Sequence, residues 1–216
     1  MTFDSGYQPA SPKFRADRNR SYREIEREAM MTRRTLGYSP DERLPSNFFE
    51  ALSGFRTGSR QQLLTEYSVE ELCEGVEAQT YFRAQPRPTI VIALSEETYD
   101  ELQVERPRAR FSAAHELGHA VLHYRELVRL SRIPHSEAAL LRGSIGELPA
   151  YSDAEWQANA FAGALLMPAA ALKSLEDEVW ALEAREIANA FGTSLTSARY
   201  RLQTFAQKRE LLLKLR

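Results

Sequence analysis

The chain contains 216 residues, enough for one sizeable hydrophobic core or for a catalytic domain with a small appendage. Its 28 lysine and arginine residues nearly balance 30 aspartate and glutamate residues, so no overall charge demands nucleic acid or a membrane as partner. The single cysteine, Cys73, excludes an internal disulfide framework. No signal sequence is recognisable at the start, and no apolar run approaches about 18 residues, so we expect a cytoplasmic protein.

The first part of the chain predicts a basic tail followed by two helical segments. Residues 1–20 contain prolines and arginines but few apolar side chains, which predicts a flexible basic arm. From Tyr22 the spacing of apolar residues predicts a helix that ends near Gly37, and a short helix is predicted around 47–52. The alternative for residues 1–20 is a solvated tail with no function.

Two strands are predicted next. Residues 76–82 alternate loosely between apolar and polar side chains, and residues 89–94 form a continuous apolar run after Pro86 and Pro88. Such a strand pair can hold an extended peptide along a sheet edge through backbone hydrogen bonds. The alternative is a hairpin that only backs the core, and the pattern does not indicate which strand forms the edge.

A histidine-rich motif follows in an apolar helical segment. Three of the four histidines, His115, His119 and His123, lie within nine residues, and the first two enclose Glu116 in a His-Glu-x-x-His arrangement. Helix positions i and i+4 share a face, so the first two imidazoles can bind one zinc ion. Glu116 can accept a proton from the attacking water and pass it to the leaving amine. The alternative, histidines that are merely packed in a core, is costly unless they are paired or bind a metal.

A catalytic zinc needs a third protein ligand, and the best candidate lies downstream. Ser152 or Asp153 can cap a helix on which Glu155 and Asn159 share one face. Glu155 can supply a carboxylate oxygen to the metal, while Asn159 can orient a ligating imidazole. The alternative for Glu155 is an ordinary solvated glutamate in the first turn of a helix.

The other two histidines, His123 and His135, each have two candidate roles. His123 lies about 12 Å along the helix axis from His115, too far for both to bind one ion. One turn beyond His119, it can form a hydrogen bond near the metal ligands, or it can be a packed structural residue. His135 falls in a predicted loop, where it is either solvated or placed to stabilise an oxyanion.

Together these segments resemble the ImmA/IrrE family of metallopeptidases over roughly residues 88–170. The resemblance rests on Arg110 to Ala114 before the histidine motif, on His123 after it, and on Glu155, Ala158, Asn159, Phe161, Ala162 and the run from Leu165 to Pro168. It implies that His115, His119 and Glu155 bind zinc and that Glu116 is the catalytic base. It also implies a helix-turn-helix transcriptional repressor as substrate, cleaved after a stress signal. The segment 130–150 is longer than is usual for the family.

The C-terminal part predicts helices near 169–178, 181–191 and 195–207. Gly192 between the last two, with small residues around it, is typical of a helix-turn-helix, although any tight helix pair can give this pattern. The second helix would present Thr196, Ser197, Arg199, Tyr200 and Gln203, which supply one firm phosphate-binding charge. We therefore expect any DNA binding to be weak, and a packing or partner-binding role is the alternative.

These observations predict an α+β protein with a zincin-like metallopeptidase domain that contains a small antiparallel sheet. The predicted divisions are the basic arm at 1–20, the catalytic domain at 21–170 and a helical, helix-turn-helix-like part at 171–216. The predicted function is zinc-dependent hydrolysis of a peptide bond in a protein partner. A DNA-binding regulator with a structural zinc site and a module that sequesters a repressor are the alternatives. An intact Glu116 argues against both, because a structural site does not need a base.

Overall fold

The computed structural model describes residues 15–57, 63–132, 152–178 and 182–214. His135 and most of the long segment 130–150 lie outside the described residues, so their predicted roles stay predictions. In the described residues no single helix is long and apolar enough to cross a membrane, and only the bent pair Ala154–Leu166 and Ala169–Asp177 passes that test jointly.

Both helices predicted in the N-terminal part are present. Helix α1 spans Tyr22–Thr35 and begins at a capping box, in which Ser21 and Glu24 satisfy each other's backbone amides. A short 3-10 helix spans Ser46–Leu52 and contributes Phe48 and Phe49 to the core. The predicted positions differ from the observed ones by no more than two residues.

The sheet contains the two predicted strands and two that the sequence did not reveal. The strands are β1 (Arg56–Thr57), β2 (Leu63–Val69), β3 (Ala78–Arg83) and β4 (Thr89–Leu94). Their order in the sheet is β1-β2-β4-β3. β3 and β4 pair antiparallel as a hairpin, but β2 runs parallel to β4. The sheet is therefore mixed, which corrects the expectation of a purely antiparallel one. β3 is an edge strand among the described residues.

The described helices that follow the sheet include one that carries the histidine motif and packs on the sheet. They are α2 (Glu96–Gln103), α3 (Pro107–Leu122), α4 (Tyr124–Leu130), α5 (Ala154–Leu166), α6 (Ala169–Glu178), α7 (Ala184–Phe191) and α8 (Leu195–Leu213). Every residue of β4 is buried, since α3 packs on this sheet. Two strand hydroxyls tie α3 to the sheet: Thr57 donates to the Ala120 carbonyl over 3.0 Å and Thr80 to the Glu116 carbonyl over 2.9 Å.

One hydrophobic core extends across the predicted boundary at residue 170. Buried residues from β4, α3 and α5 belong to the same cluster as Leu172, Ile187, Phe191 and Phe205 from the C-terminal helices. Inside this core Arg201 of α8 forms a buried ion pair with Glu26 of α1, with N–O distances of 2.7 and 2.8 Å. The division into 21–170 and 171–216 stays a prediction, and the two parts share their core.

Residues 15–20 lie against the helices that carry the histidine motif and Glu155. Ala16 is buried beside Ala154, and its backbone amide donates to the Ser152 carbonyl over 3.0 Å. Arg20 donates to the Leu122 carbonyl at the end of α3 over 3.0 Å. This short stretch, at the end of the predicted arm, therefore packs on the region that carries the histidine motif.

Candidate metal centre

The crossing of α3 and α5 brings the two halves of the motif together. A Cβ atom on Gly118 would lie 3.2 Å from the backbone of Ala158, so the glycine allows an unusually close approach of the two helices. α5 begins at Asp153, whose side chain accepts from the Glu155 amide over 2.9 Å. This cap places Glu155 in the first turn of α5, facing the histidines of α3.

His115, His119 and Glu155 form a compact buried cluster. The two Nε2 atoms lie 3.1 Å apart, and each lies 3.3 Å from one of the Glu155 carboxylate oxygens. One ligand atom from each residue falls within 4.8 Å of the others, and the residues are between 0% and 5% exposed. Ligand atoms around a tetrahedral zinc ion are about 3.3 Å apart, given metal–ligand distances of about 2.0–2.1 Å. The cluster therefore fits a metal ion in both spacing and donor chemistry.

The surroundings of the cluster also favour a cation. The Oδ1 atom of Asn159 lies 3.0 Å from His115 Nδ1 and, as an acceptor, requires the ring proton on that nitrogen. The lone pair of a neutral His115 ring is then on Nε2, facing the cluster. Neither carboxylate oxygen of Glu155 has a hydrogen-bond partner among the described residues, although both are buried. Lone pairs and an anion thus converge on one point, which is costly unless a cation lies there.

The pKa shifts point the same way. Burial raises the pKa of the Glu155 carboxyl, but the rings of His119 and His115 outweigh burial and hold that pKa well below its usual range. Burial lowers the pKa of His119, whereas the carboxylates of Glu155 and Glu116 raise it further than burial lowers it. The protein therefore stabilises positive charge at this point, and in the absence of a metal a proton competes for the same nitrogen.

Glu116 lies beside the cluster and is not one of its three members. It is fully buried, and its carboxylate is close enough to His119 to raise the pKa of that ring. Its backbone carbonyl accepts the Thr80 hydroxyl from the edge strand β3. The residue predicted as base is therefore tied to one strand of the pair that was predicted to hold an extended peptide.

His123 occupies the C-terminal cap of α3, where it contacts the cluster from behind. Its Nδ1 lies 3.1 Å from His119 Nδ1, and its Nε2 lies 3.2 Å from Gln157 Oε1. Burial and the neighbouring His119 lower the pKa of His123 well below its usual value. Gln157 was not among the residues predicted from the sequence, although a glutamine within an apolar helix is a signal of a buried hydrogen-bond partner.

Helix α8, the second helix of the predicted helix-turn-helix-like pair, packs on the core that carries the cluster. Thr196, Ser197 and Tyr200 line a pocket that Asn159 of α5 also lines. Arg201 beside them is buried in its ion pair with Glu26. Several residues predicted to be available to DNA therefore border the helix that supplies Glu155.

Fold and cluster together define a zincin-like metallopeptidase, and comparison with known families agrees. The model of a peptidase family described as the IrrE N-terminal-like domain matches residues 75–203. The match covers more than half of the 216 residues, and the chain belongs to this family. The predicted ImmA/IrrE resemblance and the zincin-like α+β class are thus confirmed, and the match reaches into α8. A search of curated proteins found no match.

Proposed function

We propose that the protein is a zinc-dependent endopeptidase in which His115, His119 and Glu155 bind the metal and Glu116 is the catalytic base. The observation that carries the proposal is the spacing of 3.1–3.3 Å between the donor atoms of the cluster. Two imidazoles and one carboxylate leave a fourth coordination position open, as in catalytic rather than structural zinc sites.

Each side chain has a distinct task in this mechanism. Zinc, when bound, supplies a Lewis acid that polarises the scissile carbonyl and acidifies water. The Glu116 carboxylate accepts the proton of the attacking water and returns it to the nitrogen of the leaving amine. Asn159 holds the ring of His115 in the orientation that directs Nε2 to the cluster.

The edge strand β3 is the proposed support for the substrate backbone. It pairs with β4 on one side, and no described strand pairs with its other side. An extended peptide can add to such an edge through backbone hydrogen bonds, which fix the position of its scissile bond. The hydrogen bond from Thr80 to the Glu116 carbonyl keeps strand and base in register.

The family relationship supports a protein substrate, and the resemblance to ImmA/IrrE proteins favours a helix-turn-helix transcriptional repressor. Cleavage would then relieve repression in response to stress, in the cytoplasm. The alternative is a non-catalytic zinc protein that binds DNA or sequesters a repressor. The buried Glu116 beside the cluster argues against it, because burying a carboxylate costs free energy and a structural zinc site does not need a base.

The substitution Glu116→Gln tests the proposal, because it keeps the shape of the side chain but removes the proton acceptor. Zinc content should stay near one per chain, while cleavage of a proteome-derived peptide library should fall by about two to four orders of magnitude. Product ends identified by mass spectrometry report the cleavage. Glu97→Gln, at an exposed position of α2, is the matched control and should cleave as the wild type does. Undiminished cleavage by Glu116→Gln would rule out this mechanism.

A further inference from the structure

A chain of hydrogen bonds leads from the metal cluster to the backbone of the N-terminal segment. His119 Nδ1 lies 3.1 Å from His123 Nδ1, and His123 Nε2 lies 3.2 Å from Gln157 Oε1. The amide nitrogen of Gln157 then donates to the backbone carbonyl of Arg18 over 2.9 Å. All three side chains are at most 1% exposed, so water does not readily replace these contacts.

The donor–acceptor direction of these hydrogen bonds is fixed at the Arg18 carbonyl. A backbone carbonyl can only accept, so Gln157 must turn its NH2 group to Arg18 and its Oε1 to His123. That oxygen requires a proton on His123 Nε2, and in a neutral ring this leaves Nδ1 as an acceptor. His119 must therefore donate from Nδ1. The Nε2 atom of a neutral His119 then carries its lone pair toward His115 and Glu155.

We infer that Gln157 is a positioning residue for the metal centre, which selects the zinc-binding tautomer of His119 through His123. This inference rests on the proposed zinc site. The contact between the two histidines is symmetric, since either Nδ1 could carry the proton, and it has no direction of its own. Gln157 and the carbonyl of Arg18 remove that ambiguity, whereas His115 is oriented directly by the acceptor Oδ1 of Asn159.

The terminal acceptor is itself held in place. Next to Arg18, the backbone amide of Asp17 donates to Glu126 Oε1 over 2.7 Å. On the other side, the guanidinium of Arg20 donates to the Leu122 carbonyl over 3.0 Å. Both partners belong to the end of α3 or to α4, which follows it directly. Residues 15–20 are therefore part of the support of the metal centre.

The substitution Gln157→Met tests the inference, because it keeps the length of the side chain and removes both polar atoms. The zinc dissociation constant, measured by competition with a chromophoric chelator, should rise by about 10- to 100-fold. Gln157→Glu keeps an acceptor for His123 Nε2 but loses the donor to the Arg18 carbonyl, so its dissociation constant should rise less than that of Gln157→Met. Thr57→Val is the matched control, since it removes a buried hydrogen bond to α3 at Ala120 without touching this chain.

The tautomer of His123 can be measured directly, and a purely structural role of Gln157 would not change it. The protein has four histidines, so imidazole nitrogen resonances can be assigned in long-range 1H–15N spectra of the zinc-loaded full chain. His123 should carry its proton on Nε2 in the wild type and in Gln157→Glu. In metal-free protein, at a pH where the same spectra show neutral rings, His123 of Gln157→Met should show an added population protonated on Nδ1.

The outcomes separate this inference from the proposed peptidase function. Zinc binding that depends on Gln157 without any hydrolysis would overturn the peptidase proposal and support the inference. A wild-type His123 protonated on Nδ1, or unchanged zinc affinity in Gln157→Met, would overturn the inference alone. An equal loss of affinity in Thr57→Val would assign the effect of Gln157→Met to packing. A wild-type protein that binds no zinc would overturn both.

Discussion

At the scale of single residues, the candidate metal centre depends on three side chains. The protein itself holds their donor atoms at the spacing of metal ligands. His115 and His119 are fixed by α3, and Glu155 is fixed by the cap of α5. Burial makes this arrangement costly, because a carboxylate with no hydrogen-bond partner among the described residues lies in the interior. A bound cation offsets that cost, so we expect metal binding to stabilise the fold.

The first prediction concerns the metal ligands. The purified protein should contain about one zinc per chain, and His119→Ala or Glu155→Ala should lose most of it, since two remaining donors bind zinc weakly. Elemental analysis after gel filtration measures the content. Glu97→Ala, at an exposed position of α2, is the control and should keep its zinc. Full occupancy in Glu155→Ala would place the third ligand elsewhere.

At the scale of the elements, α1 and α8 are joined by an ion pair that water does not reach. The side chains of Arg201 and Glu26 are 5% and 1% exposed. The same arginine donates to the Met167 carbonyl over 2.7 Å, and Glu26 accepts from the Ala169 amide over 2.7 Å. The pair therefore fixes the turn between α5 and α6 as well as the two helices that carry it.

The second prediction follows from that burial. Arg201→Met should lower the free energy of unfolding by about 3–5 kcal/mol, because it leaves the carboxylate of Glu26 buried without its countercharge. Urea unfolding of the zinc-loaded protein measures the change. The double variant Glu26→Gln/Arg201→Met removes the orphaned charge and should be more stable than Arg201→Met. Arg209→Met breaks a surface pair with Glu176 and should leave the urea midpoint nearly unchanged. A double variant no more stable than Arg201→Met would show that lost packing, not charge, dominates.

At the scale of the whole molecule, the helix pair α7–α8 is a structural part of the peptidase. Gly192 between the helices has a φ of +63°, a left-handed conformation that residues other than glycine rarely adopt. The glycine that suggested a helix-turn-helix is therefore explained by the left-handed end of α7. Phe191 and Phe205 of the same pair are buried in the shared core.

The third prediction is that this helix pair does not read DNA on its own. Arg199 is exposed, but Arg201 is buried in its ion pair, so α8 offers little positive charge near its first turns. Binding at physiological salt needs several neutralised phosphates. Fluorescence anisotropy at about 150 mM salt should show less than a tenfold preference for the protein's own promoter over a scrambled duplex. A clear preference that Arg199→Ala abolishes would favour the DNA-binding regulator.

The sequence alone determined the elements whose signals are local. The i, i+4 histidines, a helix cap at Ser152 or Asp153 and the apolar run of β4 all act within a few residues, so pattern and chemistry agree. The carboxylate of Glu155 on the other helix was also predicted, because a catalytic zinc needs a third protein ligand and Glu155 shares a helix face with Asn159. β2 was not predicted because only one of its residues, Thr65, is buried, so its sequence lacks a clear apolar alternation. Its parallel pairing with β4 also joins strands that are distant in sequence.

Only the tertiary structure decided how the centre is supported. Gln157 and the Arg18 carbonyl lie 139 positions apart, and no periodicity within either segment indicates that they meet. In the sequence Gly118 is an ordinary helix glycine. Only the structure shows that a Cβ atom added there would lie 3.2 Å from the backbone of Ala158. Metal ligands obey a coordination geometry that fixes their residue types and spacing, whereas their supports need only a donor or an acceptor at the right point. Many residues can meet that need, so packing alone reveals which ones do.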